Sequence, residues 1–332
     1  MIVSVRVLVV LGLFSIGVSQ AYAQRRARYD APVQPILVSS SEGPASRYQV
    51  VLALVASGDA EMIQDGRLFE LSVSEPVPEG SRRRPRTHRC SLPSRPRRLS
   101  AEPAVMHAGD RFGVALDLRA ICWGRALAAV EAGGEVTVRY SAPRGRGAFV
   151  VRAPGEARRT LTSIEETSDF QLPAPEVREV SPVISMGAVD LRSARSATFR
   201  VAIRGPEAAT RRAWIRPDRV MFRVVNPRGE RVDCELPSGG ASPIPDLFAR
   251  ISARRASRLS LDGLAYCPED TFAQAGIYEV TPVLILDEDG EEWNLHALVG
   301  TFEGATVPVR VRSGDGSLLR VVSPEDLRRL LR

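Results

Sequence analysis

A block of sequence that begins and ends with a cysteine occurs twice in this chain. This repeat constrains the fold more than any other feature of the sequence. The first block opens with Cys-Ser-Leu-Pro at Cys90 and ends at Cys122. The second opens with Cys-Glu-Leu-Pro at Cys234 and ends at Cys267. Because the chain holds four cysteines, the two blocks use them all. We therefore interpret the chain as two copies of one disulfide-bearing unit.

The amino terminus has the three parts of a secretory signal peptide. Arg6 provides the basic start, Val7–Val18 is an apolar run, and the small residues of Ala-Tyr-Ala precede a cleavage point before Gln24. The apolar run is too short to cross a bilayer as a helix, which takes about 20 residues. The sequence predicts a signal peptide over residues 1–23 and an exported protein, periplasmic or extracellular, without a membrane span after cleavage. The alternative is an uncleaved anchor.

Export determines how the cysteines are interpreted, because paired cysteines in an oxidising compartment form disulfides. The duplication selects the pairs Cys90–Cys122 and Cys234–Cys267, since each copy would have had to fold alone before it was duplicated. The alternative is a metal site built from all four cysteines. Its ligands would normally come as Cys-x-x-Cys pairs, which the chain lacks. The sequence thus predicts no metal and no cofactor.

Short apolar runs between turn residues predict β-structure in both copies. The 26 Gly and 24 Pro residues punctuate these runs and favour strands over long helices. Phe112, Val114, Leu116 and Leu118 alternate with smaller or polar residues, which is typical of a half-buried strand. We expect roughly six or seven strands per copy. The fold class predicted is all-β, with two tandem β-sandwich domains, one internal disulfide in each, and a short C-terminal helix.

The same patterns place the domain boundaries. The predicted ranges are 24–33 for a mobile Arg-rich leader, 34–153 for the first β-sandwich domain (the first copy), 154–181 for a linker, 182–314 for the second β-sandwich domain (the second copy) and 323–332 for a short amphipathic helix. Within the linker, Thr160–Ile164 could add an edge strand to the first copy. The terminal helix has Ser323 as its cap and is too short to be stable alone, so we expect it to dock on another surface.

The strand pattern resembles the Ig-like domains that are common in exported bacterial proteins. The resemblance rests on the number of strands and on the Gly-x-Tyr-x-Val strand that begins at Gly276. It departs from the antibody pattern, because the second cysteine of each copy precedes the Gly-started strand instead of lying within it. The resemblance implies a non-enzymatic binding, adhesion or envelope-assembly module, whose partner is a protein or polysaccharide of the cell envelope.

Catalytic signatures are missing from the sequence. All 45 basic residues are arginine, so mechanisms that need a lysine are excluded, including Schiff-base and P-loop chemistry. None of His88, His107 and His296 lies in a His-Glu-x-x-His or Gly-x-Ser-x-Gly context. The sequence therefore predicts that the chain is not an enzyme. An enzyme with its site at the domain junction is kept as a second alternative.

A basic loop around Cys90 is the sharpest candidate site. The window 81–101 contains arginines and no acid, whereas the matching window 225–245 has more acids than arginines. The candidate residues are Arg82, Arg83, Arg84, Arg86, Arg89, Arg95, Arg97 and Arg98. Guanidinium groups attract phosphates, sulfates and uronates by charge and by bidentate hydrogen bonds. The simpler interpretation is a solvated loop that keeps the protein soluble. The alternative is a site for a polyanion partner, namely an acidic polysaccharide, lipopolysaccharide or nucleic acid.

Overall fold

The structure is a computed structural model that describes most of the chain. The described residues are 33–39, 47–78, 80–81, 84–91, 103–141, 149–151, 159–161, 163–168, 170–173, 181–193, 197–206, 209–239, 242–313 and 318–331. Among them, no helix has the length and apolar character needed to span a membrane. The predicted signal peptide lies outside the described residues, as does the predicted leader apart from its last residue.

The first copy is built from short strands and two short helices. In chain order the elements are β1 (Val33–Ser39), β2 (Gln49–Ala56), β3 (Ala60–Met62), β4 (Phe69–Ser74), β5 (Thr87–Cys90), β6 (Ala104–Met106), β7 (Arg111–Asp117), α1 (Leu118–Ile121), α2 (Arg125–Glu131), β8 (Glu135–Ser141), β9 (Phe149–Val151), β10 (Arg159–Leu161) and β11 (Ser163–Ser168). These strands form sheets with the orders β1-β2-β7, β10-β9-β3-β6 and β11-β8-β4-β5.

The second copy is also built mainly from short strands, and it contains one longer strand, at Gly276–Leu286. Its elements are β12 (Ile184–Met186), β13 (Val189–Leu191), β14 (Thr198–Ile203), β15 (Arg211–Trp214), β16 (Val220–Val225), β17 (Arg231–Glu235), β18 (Phe248–Ile251), β19 (Ser257–Asp262), α3 (Gly263–Tyr266), β20 (Gly276–Leu286), β21 (Gly300–Glu303) and β22 (Val307–Val311). The sheet orders are β12-β14-β19, β13-β22-β20-β16-β17 and β15-β18, and β21 also pairs with β20. The chain ends with β23 (Arg320–Val321) and α4 (Pro324–Leu330).

Among the described residues, two large hydrophobic clusters form the cores of the two copies, and a small third cluster lies on the outer face of the sheet β1-β2-β7. One large cluster contains residues of the first copy, including Phe69 and Tyr140, and the other contains residues of the second copy, including Phe199, Phe222 and Tyr278. The large side chains meet edge to face, as Phe69 and Tyr140 do with ring centroids 4.8 Å apart. The prediction of a largely β chain with several sheets and a short C-terminal helix is confirmed.

Each copy contains one disulfide, at the same place in its sheet. Cys90 ends β5 and is bonded to Cys122, while Cys234 lies in β17 and is bonded to Cys267. These are the two pairs that the repeat predicts. Disulfides form in oxidising compartments, so the two bonds indicate a location outside the cytoplasm.

A capping aspartate precedes the second cysteine in each copy. The Asp117 side chain accepts a hydrogen bond from the Arg119 backbone N–H at 2.9 Å, at the start of α1. The Asp262 side chain accepts one from the Leu264 N–H at 3.1 Å, at the start of α3. Aspartate at an N-cap satisfies a backbone donor that the helix leaves unpaired. The two aspartates therefore mark equivalent positions, from which the residues of the two copies can be aligned.

The predicted boundaries differ from the structure at two places. Strand β1 begins at Val33, inside the range 24–33 that was predicted as leader. Strands β10 and β11 lie inside the range 154–181 that was predicted as linker. An edge strand was expected there over Thr160–Ile164, and the structure has β10 at Arg159–Leu161 and β11, which pairs with β8, at Ser163–Ser168. This polar stretch adds edge strands to the first copy, because an edge strand needs backbone pairing but only one buried face.

The C-terminal segment crosses back to the first copy and docks there. Strand β23 pairs with the edge of β7, and helix α4 lies on the outer face of the sheet β1-β2-β7. Leu327 of α4 is fully buried against Val51, Ala53 and Ala115. Gly113 makes room for it, since an added Cβ there would come within 2.8 Å of Leu327 Cδ2. We call residues 320–331 the C-terminal strap.

Candidate functional site

The basic loop flanks an exposed strand edge in the first copy. Strand β5 is the last strand of its sheet, and within the described part of the chain no further strand pairs with it. Arg84, Arg86 and Arg89 are exposed at this edge. The remaining candidates lie outside the described residues, namely Arg82, Arg83, Arg95, Arg97 and Arg98. The structure thus brings three of the predicted arginines to one free edge.

A carboxylate, Glu75, lies beside Arg86 in the β4–β5 hairpin. The Glu75 backbone N–H donates to the Arg86 carbonyl at 2.8 Å, and the Glu75 Oε1 atom lies 2.7 Å from His88 Nε2. The hydrogen bond with His88 is the main reason why the pKa of Glu75 lies below its ordinary value, and Arg86 adds to the effect. Glu75 is therefore negatively charged at neutral pH, and it neutralises little of the basic edge.

The corresponding hairpin of the second copy has a different character. Strand β17 also ends its sheet, but a tight turn replaces the long basic loop. Asn226 closes the turn by accepting hydrogen bonds from the Arg228 and Glu230 backbone N–H groups at 2.9 and 3.0 Å. The exposed residues of β17 are Arg231, Asp233 and Glu235. The basic edge is therefore a property of the first copy and not of the repeat.

The histidines are placed apart from one another. The side chains of His88 and His107 contact carboxylates, Glu75 at 2.7 Å and Asp59 at 3.1 Å respectively. Within the described residues neither histidine is hydrogen-bonded to a hydroxyl through its ring, and His296 lies on a loop with a positive φ of 44°. The arrangement needed for a hydrolytic triad does not occur among these contacts.

Two charge clusters join the copies. In the first, the buried guanidinium of Arg119 donates hydrogen bonds to Asp117 at 2.8 and 3.0 Å and lies over the Tyr48 ring at 4.4 Å. The same guanidinium reaches Glu279 of the second copy at 3.2 Å. Burial disfavours the charge, but the hydrogen bonds and the charge attraction of Asp117 and Glu279 together outweigh it and raise the pKa of Arg119. The cluster is therefore a charged contact between the copies.

The second cluster stacks a charged side chain of the second copy on a ring of the first. The Arg310 guanidinium lies 4.6 Å from the centroid of the Trp123 ring. Asp190 holds Arg310 in place with bidentate hydrogen bonds at 2.7 and 2.9 Å, and Arg312 binds the same carboxylate. Burial alone would raise the pKa of Asp190, but the hydrogen bonds from Arg312 and Arg310 hold it well below its ordinary value. The ionised Asp190 therefore orients the stacking arginine.

No sequence motif predicts these clusters. Arg119 lies in the first cysteine block and Glu279 at a variable position of the Gly-x-Tyr-x-Val strand, but neither motif specifies these side chains, and long stretches of chain separate the partners. The nearest signal is the pair of matching aspartates that precede the second cysteines. Both aspartates cap helices in the structure, but their spacing does not reveal that Arg119 extends the contact across the junction.

Comparisons with known proteins identify no family for the chain. No protein-family model matches it, and no curated protein matches it. A solved structure that it is similar to is the transglutaminase of red sea bream, with 13% identity and a TM-score of 0.21. The match covers 88% of this chain and 33% of the transglutaminase, so the chain spans about a third of that structure's length.

The match corrects one prediction made from the sequence. The chain was predicted not to be an enzyme, whereas the matched protein is one. The prediction is contradicted by that finding and is withdrawn. A TM-score of 0.21 carries no argument about activity, so the likeness assigns none to this chain.

Proposed function

We propose that the chain is an exported binding protein of the cell envelope, built from two tandem Ig-like β-sandwiches and acting in the periplasm or at the cell surface. The observation that carries the proposal is the edge at β5, where exposed arginines lie beside backbone that no further strand of the described residues pairs with. Sheet edges offer backbone hydrogen bonds to a partner, and neighbouring side chains supply specificity. The signal peptide and the two disulfides support a place outside the cytoplasm.

The second candidate function is narrower, and the charges at the same edge favour it. Arg84, Arg86 and Arg89 point into solvent, and Glu75 lies beside Arg86. Exposed guanidiniums bind phosphate, sulfate and carboxylate groups with planar, bidentate geometry. A partner with repeated anionic groups, such as an acidic polysaccharide or lipopolysaccharide, would bind along such an edge. The adhesion and polyanion proposals therefore share one surface and differ in their dependence on salt.

We expect the triple variant Arg84→Ser/Arg86→Ser/Arg89→Ser to lose affinity for a sulfated polysaccharide. By analogy with phosphate recognition, removing each guanidinium that binds a sulfate should lower the slope of log K against log salt by roughly one. Heparin affinity measured over a series of NaCl concentrations checks this. Because these side chains are exposed, the melting temperature should stay unchanged.

The matched control is Arg228→Ser/Arg231→Ser, which removes arginines from the corresponding hairpin of the second copy. Its heparin affinity and salt slope should equal those of the parent protein. If the triple variant behaves like this control, the polyanion proposal fails. If the parent binds with no salt dependence at all, electrostatic recognition at β5 is also excluded.

A further inference from the structure

The two copies share one sheet face. In the first copy the C-terminal strap covers this face, and in the second copy the described residues leave it exposed. The capping aspartates set the register, because Asp117 lies opposite Gln49 in the β2–β7 pair and Asp262 lies opposite Thr198 in the β14–β19 pair. Counting from these pairs, β14 corresponds to β2 and β19 corresponds to β7. Residues of the two copies can therefore be compared position by position.

In the first copy this face binds a segment of the chain itself. The outward pairs are Val51 opposite Ala115 and Ala53 opposite Gly113, and the C-terminal strap covers them. The strap contributes a strand to the edge of β7 as well as an apolar helix to the face, and the Val322 N–H donates to the Gly113 carbonyl at 3.0 Å. The repeat unit is thus able to accept an added strand at this edge.

In the second copy the described residues leave this face exposed, as the exposure of Arg200, Arg258 and Ser260 shows. The corresponding pairs are Arg200 opposite Ser260 and Ala202 opposite Arg258. They line a shallow cleft of about 340 Å³ on the outer side of the sheet. Strand β19 ends its sheet, and among the described residues no strand takes the place that β23 takes on β7. An edge and a cleft therefore lie side by side.

The charge of this face identifies what it would bind. Arg200 and Arg258 are exposed, and within the described residues neither forms an ion pair with a carboxylate. The exposed Arg254 and Arg255 precede β19 and add to the positive charge. The carboxylate at the other end of the strand, Asp262, is already engaged as the cap of α3. An apolar helix like α4 does not match two arginines, whereas an acidic segment does.

We propose that β19 and its outer face bind an extended acidic peptide of a partner protein by strand addition. The peptide backbone would pair with the free edge of β19, as β23 pairs with β7. Alternate side chains of an added strand project to one face, so carboxylates at every second position would reach the side that carries Arg200 and Arg258. The inference goes beyond the proposed function, because this site lies in the second copy and uses none of the Arg-loop residues.

The test uses a fluorescein-labelled decapeptide of alternating valine and glutamate, whose binding to the full mature protein is followed by fluorescence anisotropy. Two charge-assisted contacts are removed in Arg200→Ser/Arg258→Ser, so we expect at least about tenfold weaker binding. A peptide with glutamine in place of glutamate should bind comparably weakly to the parent protein. A glutamate peptide with N-methylated backbone amides should also bind weakly, because it cannot donate to the strand edge.

The variant Arg84→Ser/Arg86→Ser/Arg89→Ser is the matched control, and it should bind the acidic peptide as the parent protein does. This variant therefore separates a loss of heparin binding at the β5 edge from a loss of peptide binding at β19. Equal binding by the Arg200→Ser/Arg258→Ser variant, or by the N-methylated peptide, would overturn the proposal. So would sedimentation that reveals a dimer lost in the same variant, since the occupant would then be a second copy of this chain. An unchanged melting temperature of the variant excludes misfolding as the cause.

Discussion

Replacing Leu327 with alanine is expected to lower the free energy of unfolding by about 3 kcal/mol. Leu327 is fully buried and lies on Gly113, where the absence of a Cβ leaves the space that its side chain fills. The alanine variant would lose this burial and leave a cavity between the helix and the sheet. The C-terminal strap would then be attached to the first copy mainly by its backbone pairing with β7.

Urea unfolding of the parent protein and the variant gives this difference directly. The control is Val321→Ala in the same strap, where the side chain is 70% exposed. It should change the free energy of unfolding by less than about 0.5 kcal/mol. Equal, small effects of both substitutions would mean that the strap does not dock on the first copy in solution.

Replacing Arg119 with alanine is the second substitution with a large expected effect, about 3 kcal/mol of stability. The arginine side chain is 7% exposed, and its loss would leave the carboxylate of Asp117, which is 10% exposed, without its cation. A buried charge that loses its partner keeps its desolvation cost. The hydrogen bond with Glu279 and the stacking on Tyr48 would disappear as well.

The control is Arg223→Ala, which removes an ion pair from an exposed position. Arg223 lies 2.6 Å from Glu303, and the two side chains are 50% and 53% exposed. Exposed pairs of this kind contribute about 0–1 kcal/mol, so the control should unfold almost like the parent protein. Thermal and urea unfolding of both variants measure the contrast. A loss of the same size in both would contradict the buried cluster at Arg119.

Local patterns allowed the sequence to predict the strands, the caps and the cysteine pairs. Alternation at Phe112 and Val114 indicated β7, and the matched spacing of the cysteine blocks selected the same pairs as the structure. The terminal helix was predicted from its Ser323 cap, and the structure places it at Pro324–Leu330. These features depend on residues that are near each other in sequence or repeated at fixed spacing.

Where the terminal helix docks was not predicted, although the sequence contains a signal. Strand β2 reads Gln-Val-Val-Leu-Ala-Leu-Val-Ala, and such a continuous apolar run indicates a strand that is covered on both faces. Its counterpart β14 has Arg200 on the outer face and therefore needs no cover. The difference between the two copies points to an element that packs only on the first.

The contacts between the copies could not be predicted from the sequence. Arg119 and Glu279 are paired by the relative orientation of the two sheets, and no periodicity encodes that orientation. Arginines are frequent throughout this chain, so a buried one looks like any other in the sequence. The same holds for the charged face at Arg200 and Arg258, whose accessibility depends on where β19 lies in its sheet.

Peptide mapping of the protein under non-reducing conditions tests most directly whether the chain is one disulfide-bonded unit present twice. Proteolysis followed by mass spectrometry should yield a Cys90 peptide linked to a Cys122 peptide, and a Cys234 peptide linked to a Cys267 peptide. A peptide that links a cysteine of the first copy to one of the second, or cysteines that remain free thiols, would contradict the account.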